Sequence, residues 1–202
     1  LAVAAALAAG CTRQAPAGKA DAAALRTLGS LAFKPCSLAS PFSNGDPMEA
    51  QCTTLSVPED RSTPGGRSID LNIAWIPPSN SSDPAADPVF FLAGGPGQAA
   101  VATFPGLAPV FKDVMKDRGI VLVDQRGTGK SNPLNCKSEG SEASGGDPAA
   151  ARAWIQGCLD ALSAKADLRR YTTTDAVADL EAVRKAIGAD KVNLVGVSYG
   201  TR

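Results

Sequence analysis

The pentapeptide Gly196-Val197-Ser198-Tyr199-Gly200 sets a hydroxyl between two glycines. A nucleophilic serine needs this spacing: a sharp strand-to-helix turn lifts the side chain clear of a sheet, and small flanking residues let the backbone fold that tightly. Once a base takes its proton, such a serine attacks a carbonyl and forms an acyl-enzyme that water hydrolyses. An ordinary Gly-rich turn can carry the same letters, so the context decides. Here the apolar run Val192-Asn193-Leu194-Val195-Gly196-Val197 ends one residue before the serine, as a strand feeding the turn would.

Two further clusters bear on the same chemistry. Gly94-Gly95-Pro96-Gly97 directly follows the apolar run Val89-Phe90-Phe91-Leu92-Ala93. Glycines there permit a loop in which the N–H of Gly94 or Gly95 points at a developing oxyanion, with the N–H of Tyr199 as the second donor. A plain turn would account for the Gly-Pro cluster too, but its place relative to the elbow favours the oxyanion loop. The other cluster is Asp124-Gln125-Arg126-Gly127-Thr128-Gly129-Lys130-Ser131. Its Gly129-Lys130-Ser131 end matches the close of a phosphate-binding loop, but the position that must be glycine is Asp124, whose carboxylate would repel a phosphate. The expectation is instead an Asp124–Arg126 pair that fixes the loop beside the active site.

The elements that must position these residues read as alternating strands and helices. Residues 51–57 and 67–76 form a hairpin around turn chemistry at 58–66, with Ile69, Leu71, Ile73 and Trp75 on one face of the second strand. Residues 89–93, 120–123 and 192–197 are short continuous apolar runs, as expected of strands buried on both faces. A helix is expected over 107–115 and another over 175–187, where Ala176, Leu180, Val183 and Ile187 recur at helical spacing between capping threonines and Gly188. Asp147-Pro148 starts a third helix carrying Trp154, Cys158 and Leu162, after a Ser/Gly-rich loop over 132–146. Strands joined by helices give a parallel sheet with right-handed crossovers.

Composition bounds the rest. Of 202 residues 44% are hydrophobic, enough for a real core, and 20 Lys and Arg balance 20 Asp and Glu with no run of one sign. That balance leaves no electrostatic footprint for nucleic acid or an anionic membrane. Residues 1–10 contain only Leu, Ala, Val and Gly, too short a stretch for a membrane span and suited to the apolar part of an export signal. Ala8-Ala9-Gly10-Cys11 is similar to a bacterial lipobox, which would make Cys11 a lipidated N-terminus, although Leu7 stands one position earlier than lipoboxes usually place it. An ordinary cleaved signal is the alternative. Residues 1–11 are thus read as a leader remnant, 12–24 as an Ala-rich linker, and 25–202 as the N-terminal part of a catalytic domain.

Apart from Cys11, the cysteines are Cys36, Cys52, Cys136 and Cys158, an even number without metal-ligand spacing, and the sequence holds no His. Neither metal nor cofactor is expected. Disulfides fit export, and of three connectivities the sequence-local ones, Cys36 with Cys52 and Cys136 with Cys158, are favoured. Each would staple a loop-rich segment and contribute about 3 kcal/mol.

The three motifs in this order resemble the proline iminopeptidase and tripeptidyl aminopeptidase branch of the α/β-hydrolases. The segments that carry the resemblance are Leu92-Ala93-Gly94-Gly95-Pro96-Gly97-Gln98, Asp124-Gln125-Arg126-Gly127-Thr128-Gly129 and Asn193-Leu194-Val195-Gly196-Val197-Ser198-Tyr199-Gly200-Thr201. The likeness implies an α/β-hydrolase fold, a mostly parallel sheet with an N-terminal antiparallel hairpin, cut after the nucleophile elbow. It implies a peptide substrate shortened from its N-terminus and an acid and His that follow Ser198, outside these residues, with a substrate-reading cap. Proline iminopeptidases proper carry His where Ala93 stands, which favours the tripeptidyl aminopeptidase side. A carboxylesterase or lipase on the same fold, and a non-catalytic exported binding protein, are the competing readings.

Overall fold

The computed structural model describes residues 25–41, 46–80, 87–136 and 147–202. The leader, Cys11, the 12–24 linker and most of the 132–146 loop lie outside the described residues.

Seven strands form one sheet: β1 (Arg26–Leu28), β2 (Leu31–Leu38), β3 (Met48–Pro58), β4 (Ser68–Ile76), β5 (Val89–Leu92), β6 (Ile120–Val123) and β7 (Asn193–Gly196), in the order β1-β2-β3-β4-β6-β5-β7. The expected α/β-hydrolase architecture is present: β6, β5 and β7 run parallel, and the N-terminal strands are antiparallel. The N-terminal part is larger than a hairpin, because β1 and β2 extend it beyond β3 and β4. In β2 only Leu31, Phe33 and Leu38 are buried, while Lys34 and Pro35 face out and break the alternation. A proline within a run argues against a strand, which hides this one from sequence reasoning.

The sheet is covered on both faces, which is why β5 and β6 are continuously apolar. Phe90, Val121 and Val123 point to one side with Phe33, Leu71, Ile73 and the helix residues Val183 and Ile187. Val89, Phe91, Ile120 and Leu122 point to the other, against Ala100, Phe104 and Ala108. Strand β7 is different. It stands at the sheet edge, and Leu194 is 62% exposed, so the expected burial of that run on both faces does not hold for the described residues.

The helix expected over 107–115 is instead a 3-10 turn at Ala108–Phe111 followed by α2 (Val114–Asp117), and it is preceded by α1 (Ala100–Thr103) and another 3-10 turn at Phe104–Gly106. Pro105 and Pro109 each stand in the first turn of a short element, where a proline is tolerated, but they lack the N–H groups that would let one helix run on from α1 to α2. The aromatic rings of Phe91, Phe104 and Phe111 pack edge-on or tilted at 5.1–6.0 Å between centroids and hold this segment down. Helix α3 (Pro148–Ser163) begins as expected, with the Asp147 carboxylate accepting from the Ala149 N–H and Pro at its first turn. Helix α4 (Thr173–Ala186) is capped by the Thr172 hydroxyl, which accepts from the Asp175 N–H, and ends at Gly188 with φ +72°.

Cys36 is bonded to Cys52 and Cys136 to Cys158, with Cα separations of 5.8 and 5.6 Å. The first links β2 to β3, and the second ties α3, which buries no residue fully, to the end of the 124–136 segment. No helix among the described residues is long and apolar enough to cross a membrane.

Candidate active site

Strand β7 delivers Ser198 to the C-terminal end of the parallel strands, beside the end of β5. The Val197 N–H donates to the Leu92 carbonyl at 3.1 Å, the last rung between β7 and β5, and the chain then turns abruptly into a 3-10 turn at Ser198–Thr201. At that corner Ser198 takes φ +53°, a left-handed conformation rare for a residue with a side chain and typical of a nucleophile elbow. The Thr201 hydroxyl donates to the Ser198 carbonyl at 2.7 Å, and the Gly200 N–H to the Val197 carbonyl at 2.9 Å, closing the turn. Ser198 itself is exposed.

Both flanking glycines are required by contact. A Cβ on Gly196 would overlap the backbone of Gly200, and a Cβ on Gly200 would overlap the Leu92 carbonyl and lie 2.8 Å from that of Ala93. These neighbours are backbone and have no room to yield. Gly94 belongs to the same knot, since a Cβ there would lie 2.9 Å from the Val197 carbonyl and 3.1 Å from the Ser198 Cβ. The loop after β5 therefore runs against the serine. Gly95 and Gly97, both at positive φ, carry it outward to solvent.

A cavity opens beside this corner, lined by Gly94, Gln98, Gln125, Thr128, Thr173 and Tyr199 among others. One wall is the loop at residues 124–131, and here the structure corrects the sequence reading. Asp124 and Arg126 do not pair with each other. The buried Asp124 carboxylate accepts from the Asn72 side-chain amide at 2.8 Å, the Val101 N–H at 3.0 Å and the Lys130 N–H at 3.1 Å. Arg126 forks onto Asp179 of α4 at 2.6 and 2.7 Å, and it also donates to the Glu59 and Arg170 carbonyls. Each residue fixes the loop, one from inside and one against the helix.

Asp179 is 2% exposed and also receives Arg61. Burial opposes the charge on Arg126, but the hydrogen bonds and charge of Asp179, with Asp175 beyond, hold its pKa above the ordinary value. Nearby, Tyr171 donates to the buried Glu59 carboxylate at 2.9 Å and accepts from Asn132. Burial pushes the Tyr171 phenol up to about 12, the Asn132 hydrogen bond opposing and the one to Glu59 adding, so it is a neutral donor and not a base. Sequence reasoning missed Asp179 and Glu59. The available signal was that Asp179 lies three residues after Ala176 and four before Val183, on the apolar stripe of its helix, where an acid needs a buried cation.

Of the site residues expected from sequence, the structure brings Gly94, Ser198 and Tyr199 together around one corner, with Gly95 one step further out, while the four cysteines stand elsewhere as two pairs.

Residues 87–202 match a family described as alpha/beta hydrolase fold. The tripeptidyl aminopeptidase of Streptomyces lividans is 29% identical over 172 residues, covering 77% of this chain and 32% of the relative. Carboxylesterase B of Mycobacterium tuberculosis is 33% identical over 93 residues, 45% of this chain and 17% of the relative. A protein from Leptolyngbya boryana described as a probable proline iminopeptidase is 31% identical over 121 residues, 60% of this chain and 26% of the relative. The chain spans about a third or less of the length of these relatives.

Proposed function

This chain belongs to the alpha/beta hydrolase family, and from that premise we propose that the whole protein is an exported serine hydrolase, an aminopeptidase that releases N-terminal residues or short peptides through an acyl-enzyme on Ser198. The observation that carries this reading is Ser198 at φ +53° on the tip of β7, exposed and set against the glycine loop after β5. Attack by its hydroxyl on an amide carbonyl puts negative charge on the carbonyl oxygen. The N–H groups of Tyr199 and of Gly94 or Gly95 are the donors proposed to stabilise it. The base that takes the serine proton comes from outside these 202 residues, which contain no His. The chain alone is accordingly expected to be inactive.

Amide cleavage is preferred over ester cleavage because the tripeptidyl aminopeptidase relative aligns over 77% of this chain and the carboxylesterase over 45%. The 33% identity of that shorter match keeps carboxylesterase as the second reading. Two disulfides favour an oxidising compartment, and a lipid on Cys11 would hold the protein at the cell envelope.

The test uses the complete protein with anilides of single residues and of tripeptides, each with a free or a blocked N-terminus, and with p-nitrophenyl esters. Free-amine anilides are expected to turn over, and Ser198→Ala to lower the rate by about four or more orders of magnitude. Ester hydrolysis without anilide hydrolysis moves the function to the esterase reading, and unchanged turnover in Ser198→Ala removes the nucleophile.

A further inference from the structure

Gln125 sits between two of the most firmly held residues of the chain. Asp124 before it and Arg126 after it are 2% and 5% exposed, and their side chains are consumed by the hydrogen bonds described above. The Gln125 carbonyl accepts from both the N–H and the hydroxyl of Thr128, at 2.9 and 2.8 Å. Its carbonyl is thus tied down within the loop, between two buried neighbours. Its own side chain is half-buried and lines the cavity that contains Gly94 and Tyr199, and also the apolar cavity beyond Tyr199. No described residue hydrogen-bonds its carboxamide.

A polar group on a firmly held loop, left without a partner among the described residues and open to a cavity shared with Gly94 and Tyr199, is arranged to meet a ligand. The chemistry of that ligand follows from the lining. In the cavity that holds Gly94, Gln98, Thr128, Thr172 and Thr173 are neutral and the one charge, Arg126, is committed to Asp179; in the cavity beyond Tyr199 the Glu181 carboxylate is taken by Arg184 and Lys185. A carboxamide offers a donor and an acceptor side by side, which complements the N–H and C=O of a peptide unit. An alkyl ester has no N–H to give, and a charged α-ammonium finds no free carboxylate here. We propose that Gln125 is a specificity-determining residue that hydrogen-bonds a backbone amide of a peptide substrate next to the scissile bond. The proposal rests on the serine-peptidase reading above.

The experiment measures kcat/KM of the complete protein for a tripeptidyl anilide and for p-nitrophenyl butyrate, in wild type and in Gln125→Met, which keeps the length of the side chain and removes both hydrogen bonds. Loss of one or two neutral hydrogen bonds predicts about a tenfold fall on the peptide and less than about a twofold change on the ester. Gln125→Glu loses the donor and is expected to show the same selective fall, with both variants melting at the wild-type temperature. A wild type that cleaves the peptide together with a Gln125→Met that cleaves it equally well overturns the Gln125 assignment alone. Equal losses on peptide and ester also overturn it, because Gln125 then serves the fold. A wild type that cleaves only the ester overturns both this proposal and the aminopeptidase reading.

Discussion

The elbow at Ser198 and the loop at residues 124–131 both follow the end of a parallel strand, and they are held in opposite ways. The elbow is fixed by absence: Gly196, Gly200 and Gly94 lack the Cβ atoms that would collide with neighbouring backbone, and no described residue hydrogen-bonds the serine hydroxyl. The loop is fixed by presence, since the Asp124 carboxylate and the Arg126 guanidinium fill with hydrogen bonds inside the molecule. A polar side chain whose bonding capacity is used up internally builds architecture. One positioned by its backbone and left unpartnered is available to substrate. Side-chain type alone would have ranked Asp124 and Arg126 as the more reactive pair.

The largest effect is expected at the elbow. Gly200→Ala forces a Cβ into the Leu92 carbonyl, so the turn must shift. In the complete protein the rate is expected to fall by at least about a hundredfold, since displacement of a reacting group by about 1 Å has that effect. A rate within threefold of wild type would mean that the elbow tolerates the methyl and is not fixed by contact. The second is expected in the loop. Asp179→Ala strands two guanidinium groups, Arg126 with its side chain 1% exposed and Arg61 at 31%. Loss of one partner from a buried pair costs about 3–5 kcal/mol, to be read from urea denaturation midpoints. For the fraction that remains folded, kcat is expected to change by less than tenfold, because Asp179 touches no reacting atom. A loss below about 1 kcal/mol would show that the pair does not anchor the loop.

How far the sequence shows all this depends on which interactions are local. Strands β5 and β6 are legible because two buried faces demand unbroken apolar runs, and the glycines around Ser198 are legible because a tight corner leaves no alternative. Helix α4 is legible from its apolar spacing, its Thr172 cap and Gly188. Strand β2 is not, because Lys34 and Pro35 interrupt its pattern and it is pairing with β1 and β3 that makes it a strand. The 107–115 segment misleads in the other direction: its apolar residues suit a helix, while in the fold it is split between the 3-10 turn Ala108–Phe111 and α2, with Phe111 packed on Phe91 and Phe104. The partners of Asp124 and Arg126 are least legible of all. Asn72 and Asp179 lie 52 and 53 residues away, and only the folded sheet brings them together.

In the proposed enzyme the activated hydroxyl is that of Ser198, and the ionisable side chains of the 124–131 loop stay unreactive. Labelling the complete, active protein with a fluorophosphonate and mapping the adduct by peptide mass spectrometry tests it directly, because such reagents trap only a serine whose proton a base can take. The expected result is one adduct, on the peptide containing Ser198, formed in step with loss of activity and absent in Ser198→Ala. Complete inactivation with the adduct on another residue, or full activity after stoichiometric labelling of Ser198, would contradict the account.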